Sequence, residues 1–241
     1  MFWKTKKPVV LHCYTDSPII FNAVKPEKTT RFIPKWFKQL PEALAEGKKP
    51  TVKNCPGFLD AFRLSISLPL WCDYEIVLSK EGWEWRSADT LAQIEIHNPE
   101  QWGDIDTLKP FQHFKIKNPW AFKCEEDIKF FLSAPTFWFA EHPDIEIVSG
   151  VLDFKYQNMA HIQIFAKIPT EGTIRTLLPG GHPVAQLTPL TERPVKLVHH
   201  LVSAEEYRNL LDNNRPLFFA HKYKKTKQLM KKCPIIHEHT K

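Results

Sequence analysis

From residue 8 onward the chain is a succession of short apolar runs broken by Pro, Asn, Asp and Gly. The runs are "VVLHCY", "PIIFNAV", "LSISLPL", "YEIVL", "EWRS", "AQIEIH", "HFKIK", "KFFLS", "IEIVSG", "HIQIFAKI", "TIRTLL", "PVAQLTPL" and "PVKLVHHLV". They are rich in β-branched and aromatic residues, and many alternate apolar with polar positions, which is the period of a half-buried antiparallel strand. In "HIQIFAKI" the alternation sets His161, Gln163 and Ala166 against Ile162, Ile164 and Phe165, with Phe165 breaking the strict period. Two stretches depart from this pattern and predict helix. One is "PKWFKQLPEALAEG", near residues 35–46. The other is "SAEEYRNLLDNN", where Ser203 and Glu206 have the spacing of a capping box and Tyr207, Leu210 and Leu211 share a face. Beyond it, "RPLFFAHKYKKTKQLMKKC" reads as a second, amphipathic helix.

The pattern predicts a mainly β protein with one β-rich domain over residues 1–202, a helical insert near 35–46, and a C-terminal helical appendage with a basic tail over 203–241. Composition agrees: 20 prolines against 8 glycines in 241 residues cut the chain into short elements and disfavour long helices. The apolar share of 43% suits a folded core. Cys13, Cys55, Cys72, Cys124 and Cys233 are scattered and odd in number, so neither a disulfide framework nor a zinc knuckle is indicated. Reduced thiols, no signal-peptide run and no membrane-spanning stretch give the expectation of a cytoplasmic, soluble protein.

The net charge of +6 suits an anionic partner, and much of the excess sits in the tail at Lys222, Lys224, Lys225 and Lys227. A run of this kind is more often a solvated face. Eight tryptophans, among them Trp36, Trp71, Trp83, Trp85, Trp102, Trp120 and Trp138, offer a stacking platform or, more simply, core packing. Trp83 and Trp85 share a strand face. "EHPDIE" supplies His142 and Asp144, which with His199 and Arg208 have the residue types of a 2-His-1-carboxylate iron site with an arginine for a keto acid. Unrelated histidines meet such a spacing easily in a chain holding 11 of them, so no metal site is assigned. His237 and His239 beside Cys233 read as a frayed terminus.

Several segments recur together elsewhere. "FIPKWFKQLP", "TVKNCPGFLDAF" before "SISLPLWCDYEI", "GVLDFKY", "GGHPVAQLTPL" and "HKYKKTK" resemble, in order, an uncharacterised family of phage and bacterial proteins of the T4-like marine phage type. That resemblance implies an infected host cell or virion as the setting, and no reaction. More distantly, "GVLDFKY" followed by "LPGGHPVAQLTPL" resembles the motif order of the β-clip fold of dUTPases and dCTP deaminases. This second resemblance implies a hairpin relieved at Gly150, a water-activating carboxylate at Asp153, a sugar-stacking ring at Tyr156, and a tight "PGG" turn before the buried strand. Ligand contacts would fall at Gly150, Gln186 and Ser133. It also implies a trimeric homo-oligomer.

The arginine-bearing phosphate motif of those enzymes has no counterpart here, since "FFLSAPTFWF" offers Ser133 and no arginine. A triphosphate needs cationic or backbone N–H donors, usually with magnesium. Two functions therefore stand open, ahead of a third, a non-haem iron 2-oxoglutarate oxygenase built on His142, Asp144, His199 and Arg208. The leading one is a phage-type accessory or structural protein acting by binding, without a cofactor. The alternative is a divergent nucleotide hydrolase using Asp153, with Mg²⁺ as its only cofactor.

Overall fold

The computed structural model describes residues 6–44, 49–87, 93–98, 101, 103 and 105–213. In chain order the elements are β1 (Val9–Thr15), α1 (Pro18–Ala23), β2 (Glu27–Lys28), α2 (Lys35–Gln39), α3 (Pro56–Leu64), β3 (Ile66–Pro69), β4 (Tyr74–Ser79) and β5 (Gly82–Arg86). There follow β6 (Ile94–Ile96), β7 (Phe111–Ile116), β8 (Ala121–Lys123), β9 (Phe130–Ser133), α4 (Trp138–Glu141), β10 (Ile145–Ile147) and β11 (Gly150–Leu152). The last are β12 (Ile162–Lys167), β13 (Thr173–Leu178), β14 (Pro183–Pro189), β15 (Val195–Leu201) and α5 (Ala204–Asn213). The protein is mainly β. No helix among the described residues is long and apolar enough to cross a membrane.

The strands form sheets in the orders β15-β1-β8, β10-β12-β7-β6, β11-β9-β14-β3-β2 and β13-β4-β5. Their inner faces share one hydrophobic core in which Tyr74, Phe114, Phe122, Phe130 and Phe154 are fully buried. Pairing is antiparallel throughout these sheets except between β1 and β15, which run parallel from Val9↔Val195 to Thr15↔Leu201. A parallel pair needs a long crossover rather than a tight turn, and here nearly the whole chain intervenes. That exception was invisible to a reading of alternation alone.

Local chemistry explains where helices replace the strands expected. "PIIFNAV" forms α1 because Ser17 caps it, its Oγ accepting from the Ile20 N–H at 3.3 Å, and Pro18 occupies the first turn. α3 likewise starts at Pro56 and buries Phe62. The insert near 35–46 is helical only to Gln39, since Leu40 precedes Pro41 and is pushed out of the helical region. The capping box formed as expected: the Ser203 N–H donates to Glu206 at 2.9 Å and the Glu206 N–H to Ser203 Oγ at 3.2 Å. α5 then docks through the Tyr207 hydroxyl, which donates to the Pro119 carbonyl at 3.0 Å. The second C-terminal helix expected beyond it lies outside the described residues.

Strand β12 repairs an apparent irregularity. Ile162, Ile164 and Ala166 are buried while Gln163, Phe165 and Lys167 face outward, so the period of two never breaks. Phe165 is the outward residue and Ala166 the inward one. Trp83 and Trp85 do share a face, and both pack inward, Trp83 stacking on Phe114 with centroids 5.3 Å apart.

Candidate functional site

The segment that carries the enzyme-like motif is a crossover between sheets. β11 is an edge strand on β9, with Gly150↔Leu132 and Leu152↔Phe130, whereas β12 belongs to the sheet of β7 and β10. The expected hairpin is thus absent. Between the two strands the chain makes a turn in which the Tyr156 and Gln157 N–H groups both donate to the Asp153 carbonyl at 3.0 Å. Phe154 enters the core between Phe122 and Phe130, with centroids 5.1 Å from each. The Cys124 N–H donates to the Phe154 carbonyl at 3.1 Å and the Phe122 N–H to that of Asn158 at 2.7 Å, lacing the turn to β8.

Burial is the consequence. Asp153 is 3% exposed and Tyr156 6%. Burial pushes the Cys124 thiol up, and Asp153 is one of the neighbouring carboxylates that push it the same way. Gly150 is not needed for relief, because a Cβ there would meet nothing within 4 Å. Ser133 and Gln186 are register partners on β9 and β14, and the Gln186 side chain is 7% exposed. Gly150, Ser133 and Gln186 thus lie near one another on neighbouring strands. Asp153 stands three residues beyond Gly150, about 10 Å along the strand direction. Lys222, Lys224, Lys225 and Lys227 lie outside the described residues.

A second constellation is built by two turns that meet at the surface. The first is α4, entered through Phe137, whose φ of 71° lies in the left-handed region. This conformation costs a non-glycine residue about 1–3 kcal/mol, and the ring it directs packs against Trp36 and Phe58, each at 4.9 Å. Trp138, next in line, is buried and donates its indole N–H to the Ile145 carbonyl at 2.7 Å. Glu141 and His142 follow one turn on, with the His142 ring over Trp138 at 4.3 Å.

The other turn is "PGGH", between β13 and β14. The His182 N–H donates to the Pro179 carbonyl at 3.1 Å and Gly181 has a φ of 78°, the geometry of a type II turn. A Cβ on Gly180 would stand 3.2 Å from the Cys72 backbone, so the close approach favours glycine. The turn is fastened to that neighbour by Gly181 N–H to Leu70 carbonyl at 2.7 Å and Leu70 N–H to His182 carbonyl at 2.9 Å. The "PGG" turn is legible in the sequence; no motif marks the histidine it presents.

Together the two turns bring Glu141, His142 and His182 into one group, their ligand atoms within 4.8 Å of one another. His182 Nε2 lies 3.1 Å from Glu141 Oε2. Burial, and next the neighbouring His182, lower the His142 pKa, against the pull of Glu141. Of the iron constellation read from sequence, only His142 is in this group. Asp144 lines a cleft of about 380 Å³ with Leu108, Phe111, Glu146, Phe165 and Lys167, and His199 Nε2 sits 2.9 Å from the Pro26 carbonyl. Arg208 is exposed on α5.

Two further histidine groups have different partners. His12 Nδ1 and His200 Nε2 are 2.9 Å apart on the parallel pair β1 and β15, with Tyr14 stacked on His200. His113 is sandwiched between His97 at 4.2 Å and Phe165 at 4.6 Å, and burial holds its pKa down at about 4.

No protein-family model matches the chain, and no curated protein does. Solved structures similar to parts of it include dUTPases. An EIAV dUTPase is 15% identical, over 58% of this chain and 79% of that one, with a TM-score of 0.30. A variant of the Staphylococcus bacteriophage 80alpha dUTPase is 16% identical, over 48% and 97%, with a TM-score of 0.27. A variant dUTPase from phage phi11 of S. aureus, described for its structural Mg(II) ion, is 16% identical, over 47% and 98%, again at 0.27. At these identities and TM-scores the likeness assigns no activity.

Proposed function

We propose that the protein acts by binding, as an accessory or structural protein of the phage type, and does not hydrolyse nucleotides through Asp153. The observation that carries this reading is the burial of Asp153 and Tyr156 at 3% and 6% exposure. A general base must come within about 3 Å of the water it deprotonates in the substrate complex. A carboxylate enclosed by a turn that is laced to β8 offers a bulky triphosphate no such approach. An anionic macromolecule is the partner class that the +6 charge favours, with the tail lysines as its contact. Self-association into a trimer belongs to the same reading, and sedimentation showing a monomer would remove it.

The test is incubation of the full chain with dUTP or dCTP and Mg²⁺, following both nucleotide cleavage and the thermal midpoint. The expected result is no cleavage and no rise in midpoint with either nucleotide. Cleavage that Asp153→Asn abolishes without unfolding the protein would overturn the proposal.

A further inference from the structure

The geometry points to a site for a divalent transition-metal cation of the zinc class, held by Glu141, His142 and His182. Two imidazoles and one carboxylate are a donor set that such a cation takes with one position left for water. Hard cations such as magnesium prefer oxygen alone. Among the described residues, this is the one cluster of three or more His, Cys, Asp or Glu side chains close enough to share an ion.

Distances fit a site that closes around its ion. Donors about 2.1 Å from a tetrahedral cation lie about 3.4 Å from one another. The Glu141–His182 pair, at 3.1 Å, already stands at nearly that spacing. The separations to His142 stay within 4.8 Å, a gap that rotation of a half-buried ring can close.

Support comes from both flanks. Trp138 lies beneath His142 and is itself held by the Ile145 carbonyl, while His182 sits at the end of a glycine turn fastened on both sides to Leu70. The two turns are far apart in sequence, and each uses a left-handed residue, Phe137 and Gly181, to reach the meeting point.

This site is independent of whether the protein binds an anionic partner. The experiment is equilibrium dialysis of the full chain, stripped with chelator, against Zn²⁺ and separately against Mg²⁺, with bound metal quantified. His182→Ala and Glu141→Gln are measured beside the wild type, each checked for an unchanged circular dichroism spectrum. The wild type is expected to hold one more zinc ion per chain than either variant, or to bind that ion more than about tenfold tighter, and to take up no magnesium there. His12→Ala, in a separate close histidine pair, should leave this ion in place. Equal zinc uptake by wild type and both folded variants would overturn the proposal, as would absence of uptake by the wild type.

Discussion

The turn at Asp153 and the turn at His182 both lead a chain into a buried strand, and both display residue types that chemistry uses. They differ in what surrounds those side chains. At Asp153 the turn follows an edge strand and its next residue, Phe154, is driven into the core, so the carboxylate and Tyr156 are drawn in with it. At His182 the turn is closed by glycine on the surface, and its imidazole remains one-third exposed against Glu141. A motif match selected the first turn. Spatial convergence of two unrelated segments selected the second, and only that one leaves ligand atoms within reach of a solute.

The contrast is broken most directly at Phe154. Truncating this fully buried ring between Phe122 and Phe130 should cost about 3–5 kcal/mol, read as a fall in the urea midpoint at unchanged slope. If Phe154→Ala cost under about 1 kcal/mol, the Asp153 turn would not be pinned by its neighbour, and the carboxylate could swing outward. That result would return the hydrolase reading to consideration.

A pH series probes the same region. His161, where the crossover from Asp153 enters β12, accepts the Asn118 N–H on Nδ1 at 3.3 Å. Burial, followed by the charge of Lys115, lowers its pKa to about 4; Glu95 opposes this and Lys117 adds to it. The folded value lies below the unfolded 6.5, so unfolding takes up a proton between the two. Stability should therefore be full above about pH 6.5 and fall by on the order of 2 kcal/mol as pH drops through this window toward 4. Glu95, held at about 2 chiefly by its bonds to Lys115 and Lys117, adds a separate loss only below about pH 4.5. Urea midpoints at pH 7 and 5 measure the first window, in which His113, also held at about 4, loses stability in the same way; His161→Gln, which keeps an acceptor, should remove the His161 share and leave a shallower fall.

Where the sequence was legible, the period of two was the reason. β1 buries Val9, Leu11, Cys13 and Thr15 in strict alternation, and the run around it reads as a strand without further help. Alternation failed where a local bond outweighed it: a single serine cap and a proline turned "PIIFNAV" into α1. It also misleads at Phe165, where an aromatic ring suggests an inward position although His113 and the outer cleft receive it. The Asp153 motif could be read but its burial could not, since enclosure depends on Phe154, β8 and two sheets at once. The Glu141–His182 pair left no linear trace: forty-one positions separate the two, and only the "GGH" turn, with its demand for glycine, hinted that a histidine was being presented.

Gly181→Ala tests that demand. A Cβ at φ 78° meets no neighbouring atom, so the cost is backbone strain alone, about 1 kcal/mol. If the turn yields to an αR or extended conformation, His182 moves from Glu141 and zinc binding should weaken along with the thermal midpoint. Weakened zinc binding at an unchanged midpoint would mean that the turn shifts without strain, and an unchanged affinity would mean that it does not aim the histidine.

The smallest expected effect draws the sharpest line between the two turns. With chelator present, His182→Gln should alter stability by no more than about 0.5 kcal/mol, as for other partly exposed polar residues. Its bond to Glu141 is solvent-screened, and such pairs contribute little. Asp153 is different: its carboxyl lies within the packed turn, where removing a charge or altering a hydrogen-bonding group typically costs about 1–3 kcal/mol. Side chains retained for folding reveal themselves in the unliganded protein, whereas side chains retained for a ligand reveal themselves only when it is added. Urea midpoints of His182→Gln and Asp153→Asn, each with chelator and with Zn²⁺, should therefore cross over. Asp153→Asn is the weaker protein without metal yet keeps its gain from zinc, and His182→Gln matches the wild type without metal and loses that gain.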